Sequence, residues 1–214
     1  MHSHDGSHHH HHGQNVAATY GKAFIISIVA NGLFVVLQIV FSYLSNSTSL
    51  LADAFHNLGD VLGLILAWMA TVLMKRAPTM KATYGLKKIS ILSALANGIL
   101  LVFTCGIIAT DAVYKLFSPS EVQAVSVMIV AGVGIVINFA TALLFARGSD
   151  DLNIRGAYLH LFYDALVSVG VVVSAGLLYW TGWLWIDPVV GLLIALIILK
   201  GTWSLFAGSF RLIM

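Results

Sequence analysis

Six stretches of this chain are apolar and long enough to cross a bilayer, which takes about 20 residues: 23–43, 50–74, 89–113, 122–145, 156–179 and 187–206. Lipid offers nothing to a backbone N–H or C=O, so each stretch must satisfy its own as an α-helix. The short connections leave little chain for anything else. The expectation is an all-α integral membrane protein with six transmembrane helices in a compact bundle. Composition agrees, with 9% of residues charged against roughly 25% in soluble domains. The single cysteine, Cys105, lies inside an apolar run, which rules out a disulfide framework or a thiolate metal cluster within the chain. A net charge of +2 gives no case for a nucleic-acid partner.

Charge placement sets the orientation. Lys22, Lys75, Arg76, Lys81, Lys87, Lys88, Arg147, Arg155, Lys200 and Arg211 fall on one side of the six spans, and only Lys115 falls on the other. The positive-inside rule then puts both termini in the cytoplasm. Trp180, Trp183 and Trp185 cluster on the opposite side, where an aromatic belt would lie. The first apolar run is too long for a cleavable signal peptide. Short loops and no targeting segment point to a bacterial inner membrane. The opening "MHSHDGSHHHHHG" is the only low-complexity segment; it reads as a metal-collecting tail or as a tag remnant. The expected division is a flexible His-rich cytoplasmic arm over 1–17 and a six-helix transport domain over 18–210, with no soluble C-terminal domain.

Into the second apolar stretch the chain writes "LADAFHNLGD", residues 51–60, which puts Asp53, His56 and Asp60 at lipid depth. Ionisable residues there are costly and mark function. The fifth stretch holds "YLHLFYDALVSVG", residues 158–170, where His160 and Asp164 repeat the spacing of His56 and Asp60. Residues four apart share a helical face, so each pair aims a nitrogen and a carboxylate the same way. These are the only histidines outside the N-terminal tail. Both aspartates fall near the middle of a core ~30 Å thick, and two helices crossing at the aspartates would bring four ligands together.

Two imidazoles and two carboxylates suit one kind of guest. Two ionised aspartates cancel the charge of a divalent ion, and four N/O ligands match the tetrahedral preference of Zn²⁺. Mg²⁺ and Ca²⁺ want more oxygens, and Cu(I) wants sulfur. Cd²⁺, Co²⁺ or Fe²⁺ could share the cage. Metal binding expels protons from such ligands. A mid-membrane site holding either metal or protons is the core of an antiporter, with Zn²⁺ as transported substrate and no permanently bound cofactor. A passive divalent-metal channel could use the same ligands. An intramembrane metal-dependent hydrolase would need an open coordination position and a general base, so no enzyme is expected.

Other polar residues carry smaller expectations. Asp53 shares the face of His56 near the outer mouth, and stands open between a vestibule or supporting role and simple solvation. Asp111 is expected to pair with Lys115 four residues on, and Asp187 to cap span six. Asn97 and Asn138 are expected to bond between helices, and Gly59, Gly63, Gly170 and Ser174 to make small faces for the crossing.

The segments "NSTSLLADAFHNLGD", "ATYGLKKISILSALANGILL", "LNIRGAYLHLFYDALVSVGVVVSAG" and "WIDPVVGLLIALIILKGTW" together resemble the zinc-transporting branch of the cation diffusion facilitator family, over about residues 20–206. The resemblance implies metal-ligand roles for His56, Asp60, His160 and Asp164. It implies spans one, two, four and five bundled around the site, with spans three and six paired beside them. It also implies metal–proton exchange by alternating access, exporting metal from the cytoplasm, usually in homodimers. That family usually continues into a cytoplasmic metal-sensing domain after span six, where this sequence stops. Many relatives carry Arg and Glu around Lys88 and Ser90, so no ion-pair role is carried to those positions.

Overall fold

In the computed structural model residues 12–74, 80–146 and 152–213 are described, and among them six helices follow one another without a strand. They are α1 (His12–Leu44), α2 (Thr48–Met74), α3 (Met80–Phe117), α4 (Ala124–Phe145), α5 (Leu152–Thr181) and α6 (Ile186–Ile213). The chain is a membrane protein. Parts of α1, α3, α4 and α5 are long and apolar enough to span. Asp53, His56, Asn57 and Asp60 dilute the hydropathy of α2, and the side chains of α6 are described only as far as Gly201. Helix α1 begins at His12, inside the stretch expected to be a flexible arm; residues 1–11, and Lys75, Arg76 and Arg147, lie outside the described residues. Helix α3 starts nine residues before its apolar run, at Met80 rather than 89. Its lysines end the apolar stretch but not the helix, because lysine is a good helix former.

The connections explain the pairing. Helix α1 ends where Asn46 turns into the left-handed region at φ 54°, a conformation asparagine tolerates. The Ser47 N–H then returns to the Ser42 carbonyl at 3.0 Å, and three residues, Ser45–Ser47, suffice to reverse the chain into α2. Helix α5 stops at Gly182, φ 71°, whose N–H donates to the Leu178 carbonyl. The most extensive contacts are α4 with α5, α3 with α6, and α1 with α2; α1 also packs on α4, and α2 on α5, α3 and α6. Helices α1, α2, α4 and α5 thus enclose the bundle interior, with the α3–α6 pair alongside, as the family resemblance implied.

One end of the bundle carries the exposed Lys22, Arg155 and Lys200, and the other carries exposed Trp180, Trp183 and Trp185. We call these the basic end and the tryptophan end. Trp183 and Trp185 stack at 5.7 Å. Two apolar clusters fill the interior. A large one includes Phe34, Leu50, Ala52, Val127, Val130 and Val171. A smaller one at the basic end joins Phe24, Leu64, Phe145 and Leu161, with the Phe24 and Phe145 rings edge to face at 5.1 Å. Ile25, Val29, Leu33 and Val36 of α1 lie exposed at helical spacing, as a lipid-facing stripe must.

Candidate metal centre

Helices α2 and α5 run antiparallel, and their polar residues meet in rungs one turn apart. His56 Nε2 lies 3.4 Å from Asp164 Oδ1, and His160 Nε2 lies 2.7 Å from Asp60 Oδ1. Each helix places its histidine four residues before its aspartate. Antiparallel packing therefore sets the histidine of one against the aspartate of the other. The expected crossing at the two aspartates is corrected accordingly: unlike partners face each other, while the two carboxylates still offer oxygens within 4.8 Å of one another. Within each helix the pair stays close, His56 Nδ1 to Asp60 Oδ2 at 3.7 Å and His160 Nε2 to Asp164 Oδ2 at 4.0 Å. His56, Asp60 and Asp164 each offer a ligand atom within 4.8 Å of the others. His160 reaches the same two carboxylates from the basic-end side, and the rings of the two histidines lie 6.5 Å apart.

Burial grades across the cage. The side chain of Asp164 is 3% exposed and that of His160 is 43% exposed, so the cage is approached past His160. Asp60 Oδ2 is buried with no hydrogen-bond partner. Its neighbour of opposite character, His56 Nδ1, is beyond hydrogen-bond distance at 3.7 Å; burying a carboxylate oxygen without a hydrogen bond is expensive, and a cation among these four side chains would satisfy it. Two imidazoles and two carboxylates fit a divalent ion that favours nitrogen and oxygen in a four-coordinate shell.

A third rung continues toward the tryptophan end. Asp53 is wholly buried; it accepts from Gln38 Nε2 of α1 at 2.7 Å and from Ser168 Oγ of α5 at 3.1 Å. Gln38 Oε1 in turn accepts from Asn57 Nδ2 at 2.8 Å. Simple solvation, one of the two expectations for Asp53, does not hold, because its carboxylate ties three helices together one turn from His56. Gln38, Asn57 and Ser168 were not anticipated. The signal was there: Ser27, Asn31, Gln38 and Ser42 fall on one face of span one, and Ser168 continues the four-residue spacing of His160 and Asp164.

The expectation that Asp187 caps its own helix is corrected: Asp187 lies inside the first turn of α6, and its hydrogen bonds go to the start of α2. Its carboxylate accepts from Ser47 Oγ at 2.6 Å, the Thr48 N–H at 2.6 Å and Ser49 Oγ at 2.5 Å, so it caps the start of α2 from α6. Asp111 pairs with Lys115 at 2.9 Å, as expected, and Lys115 also donates to the Asn46 carbonyl and to Thr48 Oγ1. The expectation for Asn138 fails: neither its Nδ2 nor its Oδ1 has a partner, and Asn97 Oδ1 has none. The small faces also lie elsewhere. A Cβ on Gly59 would meet Leu101 of α3, and one on Gly63 or Gly170 would meet nothing within 4 Å. The tight approaches are Gly59 against the Leu101 side chain, Gly134 against the Phe34 ring and Gly191 against Thr48, so of the expected small residues Gly59 packs closely, on α3 and not on α5.

The chain is similar to known metal-transport proteins. Residues 24–214 match the cation efflux transmembrane domain. A cadmium, cobalt and zinc/H(+)-K(+) antiporter of Bacillus subtilis is 31% identical over 210 residues, covering 97% of this chain and 66% of that protein. The metal cation efflux system protein CzcD of Cupriavidus metallidurans is 32% identical over 194 residues, 90% of this chain and 61% of its own length. The zinc transporter ZitB of Escherichia coli is 35% identical over 178 residues, 82% of this chain and 57% of its own. The chain thus spans less than two thirds of the length of these relatives.

Proposed function

The chain belongs to the cation efflux family, the cation diffusion facilitators, and from that premise we propose that it exports Zn²⁺ from the cytoplasm in exchange for protons by alternating access. His56, Asp60, His160 and Asp164 hold the ion, and Asp53 positions them. Cd²⁺ and Co²⁺, for which the Bacillus relative is also named, fall within the same donor set. The observation that carries this reading is the crossed pairing of two His-x-x-x-Asp motifs at 3.4 and 2.7 Å. It puts a neutralising pair of carboxylates and two proton-accepting imidazoles in one small volume between helices. An ion bound there displaces protons from its ligands, and protons returning displace the ion.

Orientation follows from charge. The basic end faces the cytoplasm of a bacterial inner membrane by the positive-inside rule, so both termini lie inside and the more open His160 side of the cage faces the metal's source. Asp53 acts through the helices: its bonds to Gln38 and Ser168 fix the rotation of α2 against α1 and α5, and hence the aim of His56 and Asp164.

The test is Zn²⁺ flux into liposomes holding the purified protein, with and without an imposed pH gradient, beside Asp164→Ala. Uphill flux that needs the gradient and vanishes in the variant is the expected result. Flux that only follows the zinc gradient indicates a channel, and normal flux in Asp164→Ala removes the site assignment.

A further inference from the structure

Between the metal ligands and the apolar cluster at the basic end lies a second group of buried polar side chains, contributed by α1 and α4. Asn31 Nδ2 reaches Thr141 Oγ1 across the helices at 3.4 Å and donates to the Ser27 carbonyl at 2.9 Å. Thr141 Oγ1 lies 3.1 Å from the Asn138 carbonyl. Ser27, Asn31, Asn138 and Thr141 are thus within one turn of a single contact, and each is at most 5% exposed. Three of their polar atoms, Ser27 Oγ, Asn138 Nδ2 and Asn138 Oδ1, have no hydrogen-bond partner.

The group sits beside the cage. A Cβ on Gly134 would lie 3.4 Å from Ser168 Oγ, which fixes the level of α4 against α5. Asn138 is one turn from Gly134 toward the basic end, and Asp164 is one turn from Ser168 in the same direction, so the amide and the ligand carboxylate share a level. Phe24, Phe145, Leu64 and Leu161 then close the bundle below.

We propose that Ser27, Asn31, Asn138 and Thr141 line a buried water-binding pocket that passes protons to and from the metal cage. Buried polar groups in native proteins are nearly all hydrogen-bonded, to protein or to ordered water. Lipid depth removes every other source of partners. The unpartnered atoms include donors and acceptors together, which suits water; a cation would leave the Asn138 amide hydrogens with nothing to bond. A pocket of neutral groups also holds no metal in competition with the cage. Water molecules bonded in a chain relay a proton by breaking one O–H bond as the next forms, with no net change in the pocket. The apolar cluster lies between this water and the basic end, beside the more open His160 side of the cage. The hydration itself stands on the polar group alone, and its proton-passing role rests on the antiport reading.

The experiment has two arms. In a Cys105→Ser background, N138C and S27C are treated with 2-aminoethyl methanethiosulfonate and read by intact mass, beside A142C in the apolar cluster. A hydrated pocket gives modification of the first two and not of the third; if N138C and S27C both stay as unreactive as A142C, the pocket is dry and the proposal falls. In liposomes, Asn138→Leu fills the pocket with an apolar side chain of similar size. Radioactive zinc should still exchange for unlabelled zinc at the wild-type rate, because that exchange needs no proton, while proton-driven zinc flux falls at least tenfold. Unchanged proton-driven flux, or an equal fall in both fluxes, overturns the proton role. A wild type that moves no zinc defeats the exporter reading instead, and leaves the labelling arm to decide the pocket.

Discussion

At its first turn α2 meets the carboxylate of Asp187, and about three turns further on it carries the carboxylate of Asp60; the two are partnered in opposite ways. Asp187 accepts from two serine hydroxyls and a backbone N–H of Ser47–Ser49, with the Asp111–Lys115 pair beside it on Thr48. Asp60 has one histidine at 2.7 Å, a second at 3.7 Å, and an oxygen with no hydrogen bond. The first is a latch, saturated by the chain itself, and it fastens α2 to α3 and α6. The second is a cage, incomplete without a guest. A carboxylate in a membrane protein is therefore not a site by its presence; the unfilled bonding capacity is what distinguishes the two.

The comparison breaks most sharply by truncation. Asp60→Ala should abolish zinc transport, a loss of at least 100-fold in liposome flux, while the melting temperature in detergent stays level or rises, since a poorly satisfied intramembrane charge is removed. Asp187→Ala should do the reverse. Its loss strands the Thr48 N–H and two hydroxyls, a destabilisation of about 2–4 kcal/mol, read as a lower melting temperature, with flux per folded molecule retained. If Asp187→Ala stops transport in folded protein, the latch is part of the moving machinery. His56→Asp keeps the cage but hardens its donors, so preference for Zn²⁺ over harder ions such as Mn²⁺ should fall several-fold in competition flux. An unchanged selectivity order would place His56 outside the ligand set.

The cage was legible in the sequence because its members break the apolar pattern: two histidines and two aspartates at matched spacing stand out in lipid-length runs. The six helices were legible for the same reason, from runs of one kind of residue. Register was not. Whether His56 faces His160 or Asp164 depends on how antiparallel helices slide, and neighbouring registers differ by one turn with similar patterns. The support around Asp53 was hidden because Gln38, Asn57 and Ser168 are neutral, so each reads as an isolated polar residue until the helices are assembled. The latch was hidden by distance along the chain, since Asp187 finds its partners nearly 140 residues back. A carboxylate at a helix start reads locally as the cap of that helix. Asn138 went the other way: the expected interhelical bond is absent, and the unpartnered amide is the informative feature.

Glycine substitutions sharpen the difference between latch and cage at the smallest scale. At the latch, a Cβ on Gly191 would fall 2.9 Å from the backbone carbonyl carbon and oxygen of Thr48. Backbone cannot swing aside as a side-chain tip can, so Gly191→Ala must push α6 away from α2 at about 1–3 kcal/mol and loosen the bonds that Asp187 makes. Near the cage, Gly63 stands one turn from Asp60 and a Cβ there would meet nothing within 4 Å. Gly63→Ala removes only the excess backbone freedom of glycine in a helix and should stabilise by up to ~1 kcal/mol. Paired melting curves in detergent should move in opposite directions, down for Gly191→Ala and slightly up for Gly63→Ala, with zinc flux unchanged in the second. A fall for Gly63→Ala would mean that another helix packs against this face of α2 during transport, and that the open side of the cage closes in the course of the cycle.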